Sequence, residues 1–250
     1  MKIIAITQAR LGSTRFPNKI LQKVGQTTLI ELHLQRILKS KCLDIIIVAS
    51  TYEEGIKQLS TICNNMNVGF YQGDLNNVLD RFYQAAKTQN PDYVVRLTSD
   101  CPLIDATLID DVIQYATNND LDYCSNTLEE QYPDGQDVEV FKFSALEKAW
   151  QKASLLSEKE HVTPFIYKNS SFYGKEMFKA AAFTAKDNYN HVRLTVDEPI
   201  DLEVIKKLTN ELGFDASWME YTEAYLNTDI QNLNKNITRN EGYQKSLKND

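Results

Sequence analysis

Residues 1–19 read MKIIAITQARLGSTRFPNK, and this stretch decides the fold. Ile3–Ile6 is an apolar run of strand length. It gives way at once to a loop in which Gly12, Ser13 and Thr14 are interleaved with Arg10, Arg15 and Lys19. Working outward, helical patterns at Leu29–Leu38, Glu53–Asn64, Val78–Ala86 and Leu108–Ala116 alternate with strand-like runs at Ile45–Ala49, Val68–Tyr71 and Tyr93–Leu97. That alternation predicts an α/β fold with a Rossmann-like, doubly wound, mostly parallel sheet.

Past about residue 120 the rhythm changes. Strand-like runs at Tyr123–Ser125, Val138–Phe141 and Phe178–Phe183, with helical stretches at Ala145–Ala153 and Glu158–Tyr167, predict a mixed-sheet subdomain in the second half. A last strand-like run, Val192–Val196, leads into a helix at Pro199–Leu212, bounded by its early proline and by Gly213. Residues 1–226 are expected to form a single domain of two halves, 1–120 and 121–226. The polar, Asn-rich segment 227–250 is expected as a weakly packed arm or tail.

A chain of 250 residues, 42% hydrophobic, can bury a full core. With 27 Lys plus Arg against 34 Asp plus Glu, the net charge of −7 repels a polyanion, so no nucleic-acid partner is expected. Cys42, Cys63, Cys101 and Cys124 have neither metal-ligand spacing nor the density of a disulfide scaffold, and they read as free thiols of a reducing cytosol. The first apolar run is too short for a signal peptide or a membrane span, so a cytoplasmic protein without a membrane partner is expected.

The loop after the first strand lies where open α/β sheets bind ligands, outside the carboxyl ends of the strands. Backbone N–H groups from small residues, two guanidinium forks and an ammonium match the clustered oxygens of a triphosphate. A solvated basic loop is the alternative. The pattern is not a Walker loop, since GxxxxGK[ST] is absent.

Tyr93–Leu97 runs into Thr98-Ser99-Asp100-Cys101-Pro102, and Val192–Val196 runs into Asp197, which brings two carboxylates to the same sheet edge. Such a pair can hold Mg²⁺ together with substrate phosphates and water. Each also fits a helix N-cap, with Pro102 and Pro199 marking helix starts. In YPDGQDVEVF, Asp137 and Glu139 share one strand face, which suits a binding surface and a solvated one equally. Glu160 and His161 head a helical pattern, and Arg81 and Arg96 are further cations near the presumed site.

The pattern A-R-x-x-S-T-R-x-P-x-K in residues 9–19 resembles the opening motif of the CMP-ketodeoxyoctonate and acylneuraminate cytidylyltransferases, most closely their SpsF-like branch of spore coat polysaccharide biosynthesis. RLTSDCPLI, RLTVDEPIDL, PDGQDVEVF, EHVTPFIY and the late element RNEGYQKSL extend the resemblance over nearly the whole chain. Asn18 stands where the family typically has glycine, and Asn77 where SpsF-like sequences tend to have aspartate.

The resemblance implies a GT-A-like nucleotidyltransferase fold with a nucleotide-binding first half and an acceptor-binding, metal-completing second half. It implies an in-line attack of an acceptor oxygen on the α-phosphorus of CTP, with pyrophosphate leaving. Ala9, Arg10, Gly12, Ser13, Thr14, Arg15, Lys19, Arg96, Thr98 and Asp100 would bind the nucleotide, and Arg10, Arg15, Lys19 and Asp100 would carry catalysis. Asp100 and Asp197 would hold Mg²⁺, and Arg81, Asp137, Glu139, Glu160 and His161 would bind the acceptor. A 2-keto sugar acid is the expected acceptor, destined for surface polysaccharide or glycan. A phosphorylated or phosphonate acceptor, a nucleotide-sugar-dependent glycosyltransferase and a non-catalytic nucleotide-binding protein are the alternatives. A homodimer is compatible with the sequence.

Overall fold

The computed structural model describes residues 1–13, 15–247 and 250. Among the described residues nine strands form, β1 (Ile3–Gln8), β2 (Lys23–Val24), β3 (Thr27–Thr28), β4 (Ile45–Thr51), β5 (Gly69–Gly73), β6 (Tyr93–Thr98), β7 (Tyr123–Ser125), β8 (Glu139–Lys142) and β9 (Ala180–Ala182). Seven of them make one sheet in the order β5-β4-β1-β6-β8-β7-β9, while β2 and β3 pair as a small antiparallel ribbon. Strands β5, β4, β1 and β6 run parallel, β8 is antiparallel to both β6 and β7, and β9 is parallel to β7. The expected change of rhythm near residue 120 is this change from a parallel to a mixed sheet, and one continuous sheet runs through both halves.

Ten α-helices among the described residues accompany the sheet: α1 (Leu29–Ile37), α2 (Ile56–Asn65), α3 (Val78–Lys87), α4 (Ala106–Asn118), α5 (Phe143–Lys152), α6 (Leu156–His161), α7 (Pro164–Lys168), α8 (Pro199–Leu212), α9 (Trp218–Asn227) and α10 (Glu241–Ser246). Local chemistry fixes several starts. Thr28 and Glu31 form a capping box on α1, Ser217 and Glu220 do the same on α9, and Asp105 accepts two backbone N–H groups at the head of α4.

Strand alternation sorts the core. Ile3 and Ala5 of β1 pack with α1, α2 and α4, whereas Ile4 and Ile6 pack on the other face with α3 and α5. A third cluster holds Val192, Leu194 and Val196 against α8 and α9.

Three expectations need correction. Val192–Val196 is extended but is not a strand of the sheet. It bonds instead to Asp134, through the Asp134 N–H to Val192 O and the Leu194 N–H to Asp134 O, and to Asp100 through the Val196 N–H. Its alternation puts Val192, Leu194 and Val196 in the third core cluster and buries Arg193 and Thr195 on the other face, and a two-residue period reports an extended chain rather than a ladder partner. Glu158–Tyr167 is two helices, broken where Val162 adopts φ 72 and Pro164 starts α7. The segment expected as a weakly packed arm is packed: Ile230 joins the third core cluster, Asn234 is buried, and α10 lies against α6. Among the described residues, no helix is long and apolar enough to cross a membrane.

Candidate active site

The sheet order places a switch point between β1 and β6, because the chain leaves β1 towards β4 and β5 on one side and returns to β6 on the other. Ligands of such sheets bind beyond the carboxyl ends of those two strands. The loop after β1 and the turn after β6 meet there. The first loop is held from below: Ala9 N–H donates to Ala49 O, Leu11 and Gly12 N–H donate to the Glu53 carboxylate, and Asn18 N–H closes back on Leu11 O at 3.0 Å. Asn18 has φ 55, a left-handed conformation that asparagine tolerates better than most residues, which accounts for the site accepting it in place of glycine.

From this loop Lys19 reaches across the crevice. Its Nζ donates at 2.9 Å to Asp100 Oδ2, at 2.9 Å to Asp197 Oδ1 and at 2.9 Å to Val196 O. Arg15 adds ion pairs to Asp197 at 3.2 Å and Glu198 at 3.6 Å. Burial opposes the Lys19 charge, yet the two carboxylates more than offset it and raise its pKa. Burial likewise disfavours ionised Asp100, and the Lys19 ammonium overcomes it, holding the Asp100 pKa down at about 2. Two carboxylates aimed at one cationic centre, beside a loop suited to phosphate, are a donor set that fits Mg²⁺ once phosphate oxygens and water complete it. Among the described residues, no group of three or more His, Cys, Asp and Glu forms a cage of its own.

Behind Asp197 stands a buried network that sequence reasoning missed. Arg193 donates to Asp134 Oδ2 at 2.9 Å, to both Asp201 oxygens at 2.9 Å and to Asp197 Oδ2 at 3.3 Å. Asp201 also accepts the backbone N–H groups of Asp197 and Glu198, and Asn234 donates to it. The available signal was the placing of Arg193 and Asp201 on either side of Asp197 in RLTVDEPID. Asp100 has a comparable support: buried His33 bonds Thr7 Oγ1 at 2.9 Å and Cys101 O at 2.8 Å.

Asp137 and Glu139 flank Val138, which faces the core as expected. Glu139 is buried, accepts from Tyr123 Oη at 2.6 Å and from Thr163 Oγ1, and pairs with Arg96 across the β6–β8 ladder. Asp137 is held at 2.8 Å by Arg239, which lies in the segment expected to be a tail. His161 meets Ser246 Oγ at 3.0 Å and the edge of the Tyr243 ring, and burial first, then Arg96, lower its pKa to about 4. Glu160 is half exposed beside it. Thr98 Oγ1 contacts Cys101 Sγ.

One open cavity of about 1180 Å³ is lined by Ala9, Arg10, Ser13, Arg15, Lys19, Arg81, Arg96, Thr98, Asp100, Asp137, Glu139, Glu160, His161 and Asp197. Gly12 is not part of this lining, and Thr14 lies outside the described residues. Arg81, expected with the acceptor group, sits apart from Asp137 and Glu139, beside Gly73 at the end of β5.

Comparison with known proteins identifies the family. The sequence is 29% identical over 225 residues to the spore coat polysaccharide biosynthesis protein SpsF of Bacillus subtilis, covering 84% of this chain and 88% of that one. It is 38% identical over 114 residues to the 3-deoxy-manno-octulosonate cytidylyltransferase of Bdellovibrio bacteriovorus, 46% of this chain and 45% of that one. The fold superimposes on a cytidylyltransferase from Leptospira borgpetersenii with a TM-score of 0.86 at 31% identity, over 95% of this chain and 98% of that one. The cytidylyltransferase family profile matches residues 4–241, and the chain therefore belongs to the cytidylyltransferases, in their SpsF-like branch, and is a nucleotidyltransferase.

Proposed function

We propose that this enzyme transfers CMP from CTP to a sugar-like acceptor, a 2-keto sugar acid, with Mg²⁺ held by Asp100 and Asp197 and pyrophosphate released. The observation that carries the reading is the shared ammonium: Asp100 and Asp197 already converge on one positive charge next to the loop after β1. A bound Mg²⁺ would neutralise charge on the α-phosphate and orient it. With Mg²⁺ held by the two carboxylates, Lys19 and Arg15 would be free to join Arg10 and Ser13 on the phosphates. Their donors then face the oxygens on which charge grows as pyrophosphate leaves.

The acceptor enters from the β8 side, where Asp137, Glu139, Arg96 and His161 offer both donors and acceptors to a hydroxylated molecule. The similarity to SpsF and to a 3-deoxy-manno-octulosonate cytidylyltransferase supports a sugar acid there. The test is pyrophosphate release from CTP, UTP, ATP and GTP against 2-keto sugar acids and phosphorylated or phosphonate acceptors. CTP with a 2-keto sugar acid is the expected combination; turnover confined to another nucleotide or to a phosphorylated acceptor would replace it.

A further inference from the structure

Val162 stands between α6 and α7 with φ 72 and ψ −55, and across it the Thr163 N–H donates to His161 O at 2.8 Å. A hydrogen bond between residues two apart, around such a centre, makes a γ-turn of the rare and strained kind, with ideal φ of about +75° and ψ of about −65°. Valine is a poor occupant, because its branched β-carbon crowds the backbone when φ is positive. Among the described residues, the other non-glycine positions with positive φ are Asn18, Asn67, Asn90, Asp120 and Asn240, of the types that tolerate it.

The turn changes where the flanking side chains point. In a helix successive residues are about 100° apart, so residues two apart face opposite sides. Here His161 and Thr163 both line the cavity, while Val162 between them is fully buried in the core with Phe82 and Leu146. His161 meets Ser246 Oγ, and Thr163 Oγ1 donates to the Glu139 carboxylate, which Arg96 and Tyr123 also hold. A helix running on from α6 into α7 would carry one of the two side chains away from the cavity. Burial of the valine side chain opposes the strain and keeps the turn in place.

Resting on the acceptor reading above, we propose that Val162 is a positioning residue for the acceptor. Its turn fixes the His161 ring and the Thr163 hydroxyl, and with that hydroxyl the Glu139 carboxylate, on one wall of the cavity. Donors and acceptors held in place before binding lose less freedom when a hydroxylated molecule arrives, and affinity gains by that amount. Val162 itself touches no substrate, since its side chain lies in the core.

The experiment is steady-state pyrophosphate release by the full chain from CTP and 2-keto sugar acids, 3-deoxy-manno-octulosonate first, beside CTP calorimetry and thermal unfolding. Val162→Gly relieves the strain and frees the turn, so the acceptor KM should rise roughly tenfold or more, with kcat and CTP affinity little changed. Leu146→Ala deletes a buried side chain of the same cluster outside the cavity lining, and it should lower the Tm with the acceptor KM unchanged. An unchanged acceptor KM in Val162→Gly would overturn the proposal and leave the acceptor reading standing. An equal rise in Leu146→Ala would overturn it too, because loosened packing would then be the cause. Should Val162→Gly not fold, Thr163→Val decides: it keeps the turn and removes the hydroxyl that the turn delivers. The same KM should rise roughly tenfold, and an unchanged value overturns the proposal. A wild type that turns over none of the 2-keto sugar acids overturns the acceptor reading itself, and this inference with it, before any variant is compared.

Discussion

Asp100 and Asp197 share one ammonium, since Lys19 Nζ stands 2.9 Å from an oxygen of each. The lysine holds the place of a cation in a pair of carboxylates that would otherwise repel each other. Lys19→Met should therefore raise the affinity for Mg²⁺ without nucleotide, because the competing charge is gone. The same variant should weaken CTP binding by roughly ten- to a hundredfold through the lost charge-assisted contact. Calorimetry with Mg²⁺ alone and with CTP reads the two opposite changes; a fall in both affinities would mean that Lys19 only braces the fold.

Asp100→Asn and Asp197→Asn should each abolish Mg²⁺-dependent pyrophosphate release. The double variant should lose little more, since groups that act as one unit are non-additive. Independent, multiplying losses would show that the two carboxylates do separate jobs.

Stability should depend on pH through the histidines. Burial depresses His33 from 6.5 to about 4, so it stays neutral in the fold while the unfolded chain binds a proton below its ordinary value. The unfolded state then holds more protons, and this contribution, present above pH 6.5, is lost as pH falls towards 4. His161 is depressed to about 4 as well and adds to the same window. Urea unfolding between pH 7 and pH 4 should show the wild type losing several kcal/mol, on the order of 3 per histidine. His33→Gln should flatten part of that slope, and an unaltered slope would mean that His33 does not contribute to it.

Gly135 has φ 111, and a Cβ there would lie 2.7 Å from both Leu194 C and Thr195 N. These are backbone atoms of the run that ends at Asp197, so they cannot yield as a flexible side chain would. Gly135→Ala should cost upwards of about 2 kcal/mol by denaturant unfolding, from strain and steric conflict together. It should also weaken Mg²⁺ binding by shifting Asp197.

The parallel half of the sheet was legible because each strand-like run is a continuous apolar segment followed by a helical period, and β1, β4 and β6 fall where the pattern puts them. Ile45–Ala49 stops two residues short of β4 because Ser50 and Thr51 carry no hydrophobic signal, although the ladder continues through them. The meeting of Lys19 and Asp100 was readable because sheet topology brings the ends of β1 and β6 together, whereas Asp197 reaches the same edge on an extended run bonded to Asp134 and Asp100. The support behind them was not. Arg193 reaches Asp134, and Asn234 reaches Asp201, through long-range hydrogen bonds, and the buried Arg193–Asp201 ion pair leaves no periodicity. Polarity also misled within the segment expected as a tail, where Asn234, Arg239 and Ser246 have protein partners although Asn227, Asp229, Asn232 and Asn236 face solvent.

That last segment carries the remaining prediction. It is tied at one end by Asn234, which donates to Asp201 behind Asp197, and at the other by Ser246 on His161 and Tyr243 on Tyr167. Between the ties, Arg239 turns back into the cavity, donating to Asp137 Oδ1 at 2.8 Å and to Tyr132 O, while its Nε is buried without a hydrogen bond. An arginine so placed on the acceptor side, held by a carboxylate and with one donor unspent, suits a hydroxylated acid. Arg239→Gln should therefore raise the acceptor KM roughly tenfold or more and leave CTP affinity and the Mg²⁺ requirement intact. Asp137→Asn should act on the same parameter, and because the two side chains touch, the double variant should fall short of the product of the single effects. If Arg239 merely fastens the segment, Arg239→Gln should instead lower the Tm with the acceptor KM unchanged. Acceptor kinetics and thermal unfolding on the two single variants and the double variant separate these outcomes.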